Sequence, residues 1–384
     1  MFGKSSLKRG TEGLGVYVHV PLCMTKCRYC SFYSEPIAKY DAGAVICAMI
    51  GEMERYKGVD GARTLYIGGG SPSCLGKERL LVLVRETAGR WPGAEEFTVE
   101  VNPGQVDEGM LQELHRAGVN RLSIGAQSFI ERELDFLGRG HTVERIAEAV
   151  QQGRKAGFEN ISLDLIFAIA GSDLECWKHN LRAAIELEVD HISAYSLSYE
   201  DGTALGRELA AGVIVPVDED TDRAMYELAI DELAGAGINQ YEISNFAREG
   251  FECRHNLNYW ANGSYVGIGP GATSYIEGTR STNFADIGRY IEAITNGACT
   301  TAESETPGAL ERACETAVLN LRRGYGIDLA QFRRRTGFEA MELFAGPIET
   351  YQKLGLIAKD GGRVFLTREA FGIADSILCD FAVI

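Results

Sequence analysis

Residues 16–35 read VYVHVPLCMTKCRYCSFYSE, and three cysteines in this stretch are separated by three and then two residues. The alternating, β-branched residues 16–20 predict a strand, which Pro21 ends. Cys23, Cys27 and Cys30 are therefore expected on a loop that leaves the end of a strand. Cysteines clustered in a chain without an export signal more often bind a metal or act in catalysis than form disulfides.

The thiol spacing favours one kind of metal site over another. A structural zinc site closes four ligands around one ion, commonly as two separated pairs. Three thiolates on one short loop instead suit three irons of a [4Fe–4S] cluster, whose fourth iron is left for a substrate or cofactor. The spacing favours the cluster. Zinc remains the alternative if His19 or Cys253 supplies a fourth ligand.

Composition and charge narrow the class of protein. The chain has 384 residues, of which 45% are hydrophobic and 24% charged, as in an ordinary globular protein. The 54 acidic and 38 basic residues give a net charge of −16, which argues against nucleic-acid binding because no basic surplus neutralises phosphates. No signal peptide precedes residue 16, and no apolar run approaches the roughly 18 residues of a membrane span. We therefore expect a cytoplasmic protein that does not span a membrane.

Apolar strand-like runs alternate with amphipathic helical stretches through the first half of the chain. Strands are predicted at residues 16–20, 64–68, 96–101, 121–125, 161–167 and 191–197, with helices such as 77–90, 107–117, 143–156 and 174–187 between them. Six β–α units in series predict an α/β fold with a parallel sheet, and a partial (β/α)6 barrel is the economical closure. In such barrels the functional residues lie at the carboxyl ends of the strands.

Polar and glycine-rich residues follow several of these strands. Residues 68–72, GGGSP, follow the second strand, where glycines let backbone N–H groups approach a ligand closely; a tight turn is the alternative. Glu100 ends the third strand and Asp164 lies within the fifth. Each buried carboxylate needs a partner, which is either a ligand or an ordinary ion pair with an arginine.

These motifs resemble the radical S-adenosylmethionine (SAM) superfamily, whose hallmark is the C-x3-C-x2-C loop. Within it, residues 17–30 resemble the family of oxygen-independent coproporphyrinogen III oxidase and the heme chaperone HemW, and the resemblance runs from about residue 14 to the C-terminus. It implies a [4Fe–4S] cluster on Cys23, Cys27 and Cys30, with the open iron binding the amino and carboxylate groups of SAM. Electron transfer from the cluster then cleaves SAM to a 5′-deoxyadenosyl radical.

The resemblance also assigns contacts to SAM. Expected at the first SAM are Tyr17, Tyr29, Gly69, Glu100 and Thr273. Expected at a second SAM, as in coproporphyrinogen oxidase relatives, are Gly70, Ser71, Gln127, Arg139, Asp164 and Ser198. Residues 121–129, RLSIGAQSF, nearly reproduce a family pattern, whereas residues 168–172 read AIAGS where the family has GLPGQ. That departure lies beside the expected second SAM.

Residues 255–260, HNLNYW, match the HNxxYW motif of HemW-like proteins. The imidazole of His255 is a competent axial ligand for heme iron, and aromatic rings suit the face of a porphyrin. The thiolate of Cys253 is a rival ligand. The alternative is that the same residues hold a long connection onto the barrel by hydrogen bonds.

The last part of the chain has a more helical and charged composition. Predicted there are helices at residues 309–323, 329–336 and 340–354, a hairpin from 356–359 and 363–367, and a last helix that ends near Phe381. This order resembles a small winged-helix-like α+β domain, for which the acidic balance favours a lid or docking role over DNA binding. The predicted divisions are a short N-terminal segment at residues 1–15, a barrel at 16–245, a connecting region with the HNxxYW motif at 246–302 and the C-terminal domain at 303–384.

Two departures separate the candidate functions. Phe32 stands where the decarboxylating oxidases usually have a further cysteine, and residues 1–15 are shorter than the extension that covers their active site. With HNxxYW present, these differences favour a heme chaperone that binds heme and passes it to apo-hemoproteins. Its expected partners also include an electron donor, and a second copy of the chain in a dimer is considered. The alternatives are a coproporphyrinogen oxidase-like decarboxylase and a radical SAM C-methyltransferase.

Overall fold

The structure of the protein is a computed structural model, which describes residues 13–382. Its first half alternates strands and helices. These are β1 (Leu14–Val20), β2 (Leu22–Cys23), β3 (Glu35–Pro36), α1 (Ala42–Met53), β4 (Ala62–Gly69), α2 (Lys77–Arg90), β5 (Glu96–Val101), α3 (Glu108–Arg116), β6 (Arg121–Gln127), α4 (Glu131–Leu137), α5 (Val143–Lys155), β7 (Asn160–Phe167), α6 (Leu174–Glu186) and β8 (His191–Ser196). All six predicted strands are confirmed, as β1 and β4 to β8.

These six strands lie side by side, parallel, in the order β1-β4-β5-β6-β7-β8. The strands are largely buried, and apolar residues alternate along them with polar ones, as in Glu96–Val101 (EFTVEV) and Arg121–Gln127 (RLSIGAQ). Val16, Val18, Leu122 and Ile124 are all fully buried. Because the strands are parallel, all their carboxyl ends meet at one end of the barrel, and all their amino ends meet at the other.

The middle of the chain extends this sheet at both edges. Its elements are α7 (Ala204–Ala210), α8 (Glu219–Gly235), β9 (Asn239–Gln240), β10 (Asn245–Ala247), α9 (Arg254–Trp260), β11 (Tyr265–Ile268), β12 (Thr273–Ile276), β13 (Thr279–Asn283), α10 (Ile287–Thr295) and β14 (Thr301–Glu305). β11 pairs with β1, and β12, β13 and β14 follow it outward, while β10 and β9 follow β8. The described sheet thus has 12 strands and stays open, as expected for a partial barrel.

The C-terminal domain is a group of helices around a small sheet. Its elements are α11 (Ala309–Leu321), β15 (Ile327–Asp328), α12 (Leu329–Thr336), α13 (Ala340–Leu343), α14 (Ala345–Lys353), β16 (Ile357–Asp360), β17 (Arg363–Leu366), α15 (Arg368–Phe371) and α16 (Ala374–Ala382). The predicted hairpin is present as β16 and β17, joined by Gly361 and Gly362, which both have positive φ. β15 adds a third strand that the sequence analysis did not predict.

One predicted helix was wrong. Residues 340–354 form two helices, because Phe344 between them has φ −111° and ψ 30° and leaves the helical conformation. Its ring is 1% exposed and packs against Phe332 and Phe381, with ring centroids 6.0 and 5.2 Å away. Burial of this aromatic side chain therefore outweighs the continuity of the helix. Over residues 13–382 there is also no helix long and apolar enough to cross a bilayer.

Candidate functional site

A cavity of about 430 Å³ opens at the carboxyl ends of the strands. The predicted site residues that line it are Cys23, Cys27, Tyr29, Cys30, Gly69, Gly70, Ser71, Glu100, Gln127, Arg139, Asp164 and Ser198. Residues far apart in the sequence thus meet at one place. No described residue of the C-terminal domain lines the cavity, so the predicted lid role of that domain has no support in this arrangement.

The three cysteines lie on one loop that the rest of the barrel holds in place. β2 and β3 pair at the two ends of the loop, and Glu35 N donates to Pro21 O at 2.9 Å. Arg28 fixes the middle of the loop, because its backbone N donates to Leu137 O at 3.0 Å. Its guanidinium donates to Phe136 O at 2.8 Å and to Glu208 Oε1 at 2.6 Å. The thiols are therefore presented to the cavity by an anchored loop.

The donor set fits an iron–sulfur cluster better than zinc. In residues 13–382 no three His, Cys, Asp or Glu side chains converge closely enough to bind a single metal ion. A cluster does not require that, because each thiolate binds a different iron. His19 is committed elsewhere: its Nδ1 lies 3.0 Å from Tyr17 Oη, and its Nε2 lies 2.9 Å from Tyr33 O. Cys253 is fully buried at the amino end of β5, its Sγ 3.6 Å from Glu96 Oε1.

The GGGSP turn packs directly against the cysteine loop. Gly70 N donates to Val20 O and Ser71 N donates to Leu22 O, both at 2.8 Å, while Gly69 N donates to Glu100 Oε2 at 3.2 Å. A Cβ on Gly70 would lie 2.5 Å from the Leu22 carbonyl oxygen and 3.0 Å from Cys23 Sγ. Glycine is thus needed for this close approach. All three N–H groups donate within the protein here, and contact of this turn with a ligand stays a prediction.

Two carboxylates face the cavity below this turn. Glu100 Oε1 accepts a 2.8 Å hydrogen bond from the hydroxyl of Tyr66, and Asp164 Oδ1 accepts one of 3.1 Å from the hydroxyl of Ser123. Removal from bulk water and the charge of Asp164 raise the pKa of Glu100 to about 7. Burial also raises the pKa of Asp164, against the opposing effects of its hydrogen bonds and the positive charge of Arg121. Both groups can accept hydrogen bonds from the hydroxyl or amino groups of a ligand.

Gln127 and Arg139 are two further predicted residues that line the cavity. Gln127 has a φ of 68°, a left-handed conformation that is rare for a residue with a side chain and is typical of functional sites. Arg139 lies opposite the cysteine loop, where its Nη1 donates to Cys27 Sγ at 3.3 Å. Its Nη2 donates to Gly125 O at 2.7 Å and to Asn102 Oδ1. Arg139 is therefore held mainly by the protein itself.

The cavity has other polar residues that the sequence analysis missed. Tyr66, Asn102, Ser123 and Ser193 all line it. Asn102 follows Val101, the last residue of β5, and a polar residue at the end of a parallel strand is a usable sequence signal. The others lie inside strands, where periodicity alone does not say which face meets the barrel interior.

Tyr17 and Thr273, both expected at the first SAM, do not line the cavity. The hydroxyl of Tyr17 lies beside Nδ1 of His19, and Thr273 Oγ1 lies 3.0 Å from Thr282 Oγ1 in the β12–β13 pair. Contact of either residue with SAM stays a prediction, and it requires a ligand that extends beyond this cavity.

The HNxxYW motif forms α9, which covers the opposite, amino end of the barrel. His255 is 1% exposed; its Nδ1 lies 2.8 Å from Thr64 Oγ1 and its Nε2 lies 3.0 Å from Tyr259 Oη. Burial lowers the pKa of His255 to about 3, so the ring is neutral. Asn256 lines the cavity, which therefore extends from the carboxyl ends of the strands through the barrel interior to this helix. These contacts favour the packing alternative, since heme ligation by His255 or Cys253 would require α9 to move.

Comparisons with known proteins agree with this geometry. The radical SAM superfamily matches residues 17–184, and the HemN C-terminal domain matches residues 309–371. The heme chaperone HemW of Lactococcus lactis is 34% identical over 368 residues, which are 95% of this chain and 96% of that protein. That of Bacillus subtilis is 34% identical over 361 residues, 92% of this chain and 95% of that protein.

A solved structure supports the fold alone. Coproporphyrinogen III oxidase (HemN) from Escherichia coli, a radical SAM enzyme, superposes with a TM-score of 0.84 at 19% identity, covering 98% of this chain and 91% of that one. The sequence relatives, by contrast, match at a level that defines a family and over nearly the whole length of both proteins. The chain therefore belongs to the heme chaperone HemW family of the radical SAM superfamily.

Proposed function

We propose that this protein is a radical SAM heme chaperone, which binds heme and passes it to apo-hemoproteins. The observation that carries the proposal is the match to heme chaperones over more than nine-tenths of the chain. Phe32 adds to it, because this exposed residue lies at the cavity where a decarboxylating oxidase would have a further cysteine. The decarboxylase and methyltransferase alternatives have no comparable support.

Cys23, Cys27 and Cys30 would hold a [4Fe–4S] cluster at the mouth of the cavity. When bound, the cluster supplies an iron that binds the amino and carboxylate groups of SAM and an electron for SAM cleavage. The protein's own part is to hold the three thiols on a loop anchored by Arg28 and to partly shield them from water.

We propose that SAM lies in the same cavity, against Tyr29, Gly69 and Glu100. A volume of about 430 Å³ lies within the range of roughly 300–1,000 Å³ that is usual for a site for one small molecule. Gly70, Ser71 and Arg139, assigned to a second SAM, already use polar groups inside the protein. Gln127, Asp164 and Ser198 line the same space, so a second SAM would have to share it with the first.

The proposed heme surface includes two exposed apolar side chains of the cysteine loop. Met24 and Phe32 on the cysteine loop are 59% and 68% exposed, and such apolar side chains suit the face of a porphyrin. His255 and Cys253 are the candidate iron ligands from the sequence, and both are buried. An apo-hemoprotein acceptor and an electron donor complete the proposed set of partners.

The proposal is tested by heme uptake and transfer. The anaerobically reconstituted protein should bind heme, give a Soret band and lose that band when an apo-hemoprotein is added. Coproporphyrinogen supplied with SAM and a reductant should be recovered without decarboxylation, and no small molecule should be methylated. Absence of heme uptake, or formation of a decarboxylated tetrapyrrole, would contradict the chaperone role.

A further inference from the structure

The guanidinium of Arg139 joins three separate parts of the barrel to one another. Its Nη1 donates to Cys27 Sγ at 3.3 Å, within hydrogen-bonding distance for a sulfur acceptor. Its Nη2 donates to the carbonyl oxygen of Gly125, 2.7 Å away on β6, and to the side-chain oxygen of Asn102 after β5. The cysteine loop is thus tied to the ends of two neighbouring strands through one side chain.

A network behind Arg139 fixes its position. The amide nitrogen of Asn102 donates to Ser71 Oγ at 2.8 Å, which orients its oxygen toward Arg139. Gly125 makes room for the guanidinium, because a Cβ on Gly125 would lie 3.1 Å from Nη2. Arg139 is therefore held in one place by groups from the GGGSP turn, β5 and β6.

The charge of Arg139 is directed at the cysteine loop. Its acceptors on β6 and after β5 are a neutral carbonyl and a neutral amide, neither of which balances a positive charge. Among these three acceptors, only Cys27 can carry a negative charge. Burial of a cation is costly unless an anion lies nearby. Asp164 on the same cavity is one such anion, since the charge of Arg139 acts to lower its pKa, and a sulfur cluster ligated by thiolates would supply a second.

We propose that Arg139 is a positioning residue that tunes the cluster, donating an N–H···S hydrogen bond to Cys27 and stabilising the reduced state. On reduction the cluster accepts one electron from an external one-electron donor and becomes more negative, while no covalent bond forms or breaks. A fixed cation and a hydrogen bond to a ligating sulfur favour the more negative state and so raise the reduction potential. This inference rests on the proposed function, because it requires the cluster.

The same geometry assigns Arg139 to the cluster rather than to a second SAM. Both hydrogens of Nη2 and one of Nη1 are used within the protein. A carboxylate of a second SAM could not receive the two parallel hydrogen bonds of a bidentate arginine through Nη1 and Nη2 unless Arg139 released Asn102, Gly125 or Cys27.

The test compares two arginines that both anchor the cysteine loop. Arg139→Gln removes the charge beside the sulfur. Arg28→Gln is the matched control, because Arg28 holds the loop through Phe136 O and Glu208 and donates to no sulfur. The reconstituted proteins are titrated with dithionite in the presence of mediators, and the reduced cluster is measured by electron paramagnetic resonance.

At a fixed solution potential, the ratio of reduced to oxidised cluster should fall about tenfold in Arg139→Gln, which is 59 mV for a one-electron couple. It should stay within about threefold of wild type in Arg28→Gln. Arg139→Lys, which keeps the charge but not the fork, should fall between wild type and Arg139→Gln. Gly125→Ala should also lower the ratio, because the added Cβ displaces the guanidinium of Arg139. This variant keeps the test usable if Arg139→Gln does not retain its cluster.

Two outcomes would overturn the inference. The first is an unchanged ratio of reduced to oxidised cluster in Arg139→Gln. If Arg139→Gln loses its cluster, the equivalent result is an unchanged ratio in both Arg139→Lys and Gly125→Ala. The second is an equal fall in Arg28→Gln, which would show that loosening the loop is sufficient. Equilibrium dialysis against SAM adds a check by counting the SAM molecules bound per protein. If Arg139→Gln binds one SAM fewer than wild type while the ratio of reduced to oxidised cluster is unchanged, Arg139 belongs to the second-SAM site. Absence of a cluster in the wild-type protein would instead contradict the proposed function.

Discussion

Thr64 Oγ1 and His255 Nδ1 lie 2.8 Å apart inside the amino end of the barrel, and neither side chain is open to solvent. This pair joins β4 to α9, at the end of the barrel opposite to the cysteine loop. The HNxxYW motif in this arrangement is thus part of the packing that supports the barrel, and its contribution to stability can be measured directly.

Replacing His255 by alanine should destabilise the protein by about 3 kcal/mol, since a buried ring is lost and the hydroxyls of Thr64 and Tyr259 lose their partner. Urea unfolding followed by circular dichroism measures the change. The exposed His179→Ala is the matched control, for which a change below about 0.5 kcal/mol is expected. Near-wild-type stability of His255→Ala together with loss of the heme Soret band would instead identify His255 as a heme ligand.

The His255→Ala effect should also depend on pH. The pKa of His255 is about 3 in the folded protein, below the ordinary value of 6.5, so the unfolded state binds its proton first as the pH falls. Wild type therefore loses stability below about pH 6.5, by about 1.4 kcal/mol per pH unit for this group. The difference between wild type and His255→Ala should shrink by about 1 kcal/mol between pH 6.5 and 5.5, because the unfolded group is only half protonated at pH 6.5. A constant difference would show that burial does not lower the pKa of His255.

Gly70→Ala should weaken binding of SAM and iron, because the added Cβ would meet Leu22 O at 2.5 Å and Cys23 Sγ at 3.0 Å. Overpacking of this kind costs about 1–3 kcal/mol, or roughly tenfold in affinity. Calorimetry with SAM and the iron content after reconstitution measure the effect. Gly89→Ala is the control, since its added Cβ would meet no atom within 4 Å apart from its chain neighbours and the backbone of its own helix. Equal losses of SAM affinity and iron content in both variants would show that the GGGSP turn is not part of the site.

Glu100→Gln should weaken SAM binding above pH 7 more than below it. The pKa of Glu100 is about 7, so at pH 8 the wild-type group is mostly a carboxylate, which is the stronger hydrogen-bond acceptor. We expect the wild-type affinity for SAM to rise from pH 6 to pH 8 and that of Glu100→Gln to change little, as measured by calorimetry at both values. Parallel pH profiles would show that Glu100 does not contact SAM.

The barrel and the cysteine loop were predictable because their signals are local. The parallel strands are short segments rich in apolar and β-branched residues, and the thiols lie within a single loop. The outer strands Thr279–Asn283 and Thr301–Glu305 were not predicted, since their residues are mainly polar and their pairing partners lie elsewhere in the chain. Strand formation there depends on an existing sheet edge, which sequence periodicity does not report.

The site was predictable only as far as family patterns name individual residues. Those patterns identified most of the residues that line the cavity. They did not predict which groups their polar atoms would hydrogen-bond. Ser71 and Arg139 illustrate the limit, because their side chains are used by Gln105, Asn102 and Cys27 inside the protein. Hydrogen-bond partners of this kind are set by tertiary contacts between distant segments, and only a structure reveals them.

The measurement that tests the central claim most directly is anaerobic reconstitution with iron, sulfide and heme, followed by absorption spectra with and without SAM. The wild-type protein should contain a [4Fe–4S] cluster and bound heme together, and should pass the heme to an apo-hemoprotein. A variant with Cys23, Cys27 and Cys30 replaced by serine should lose the cluster. A wild-type protein that assembles the cluster and binds SAM, yet takes up no heme under any of these conditions, would contradict the account.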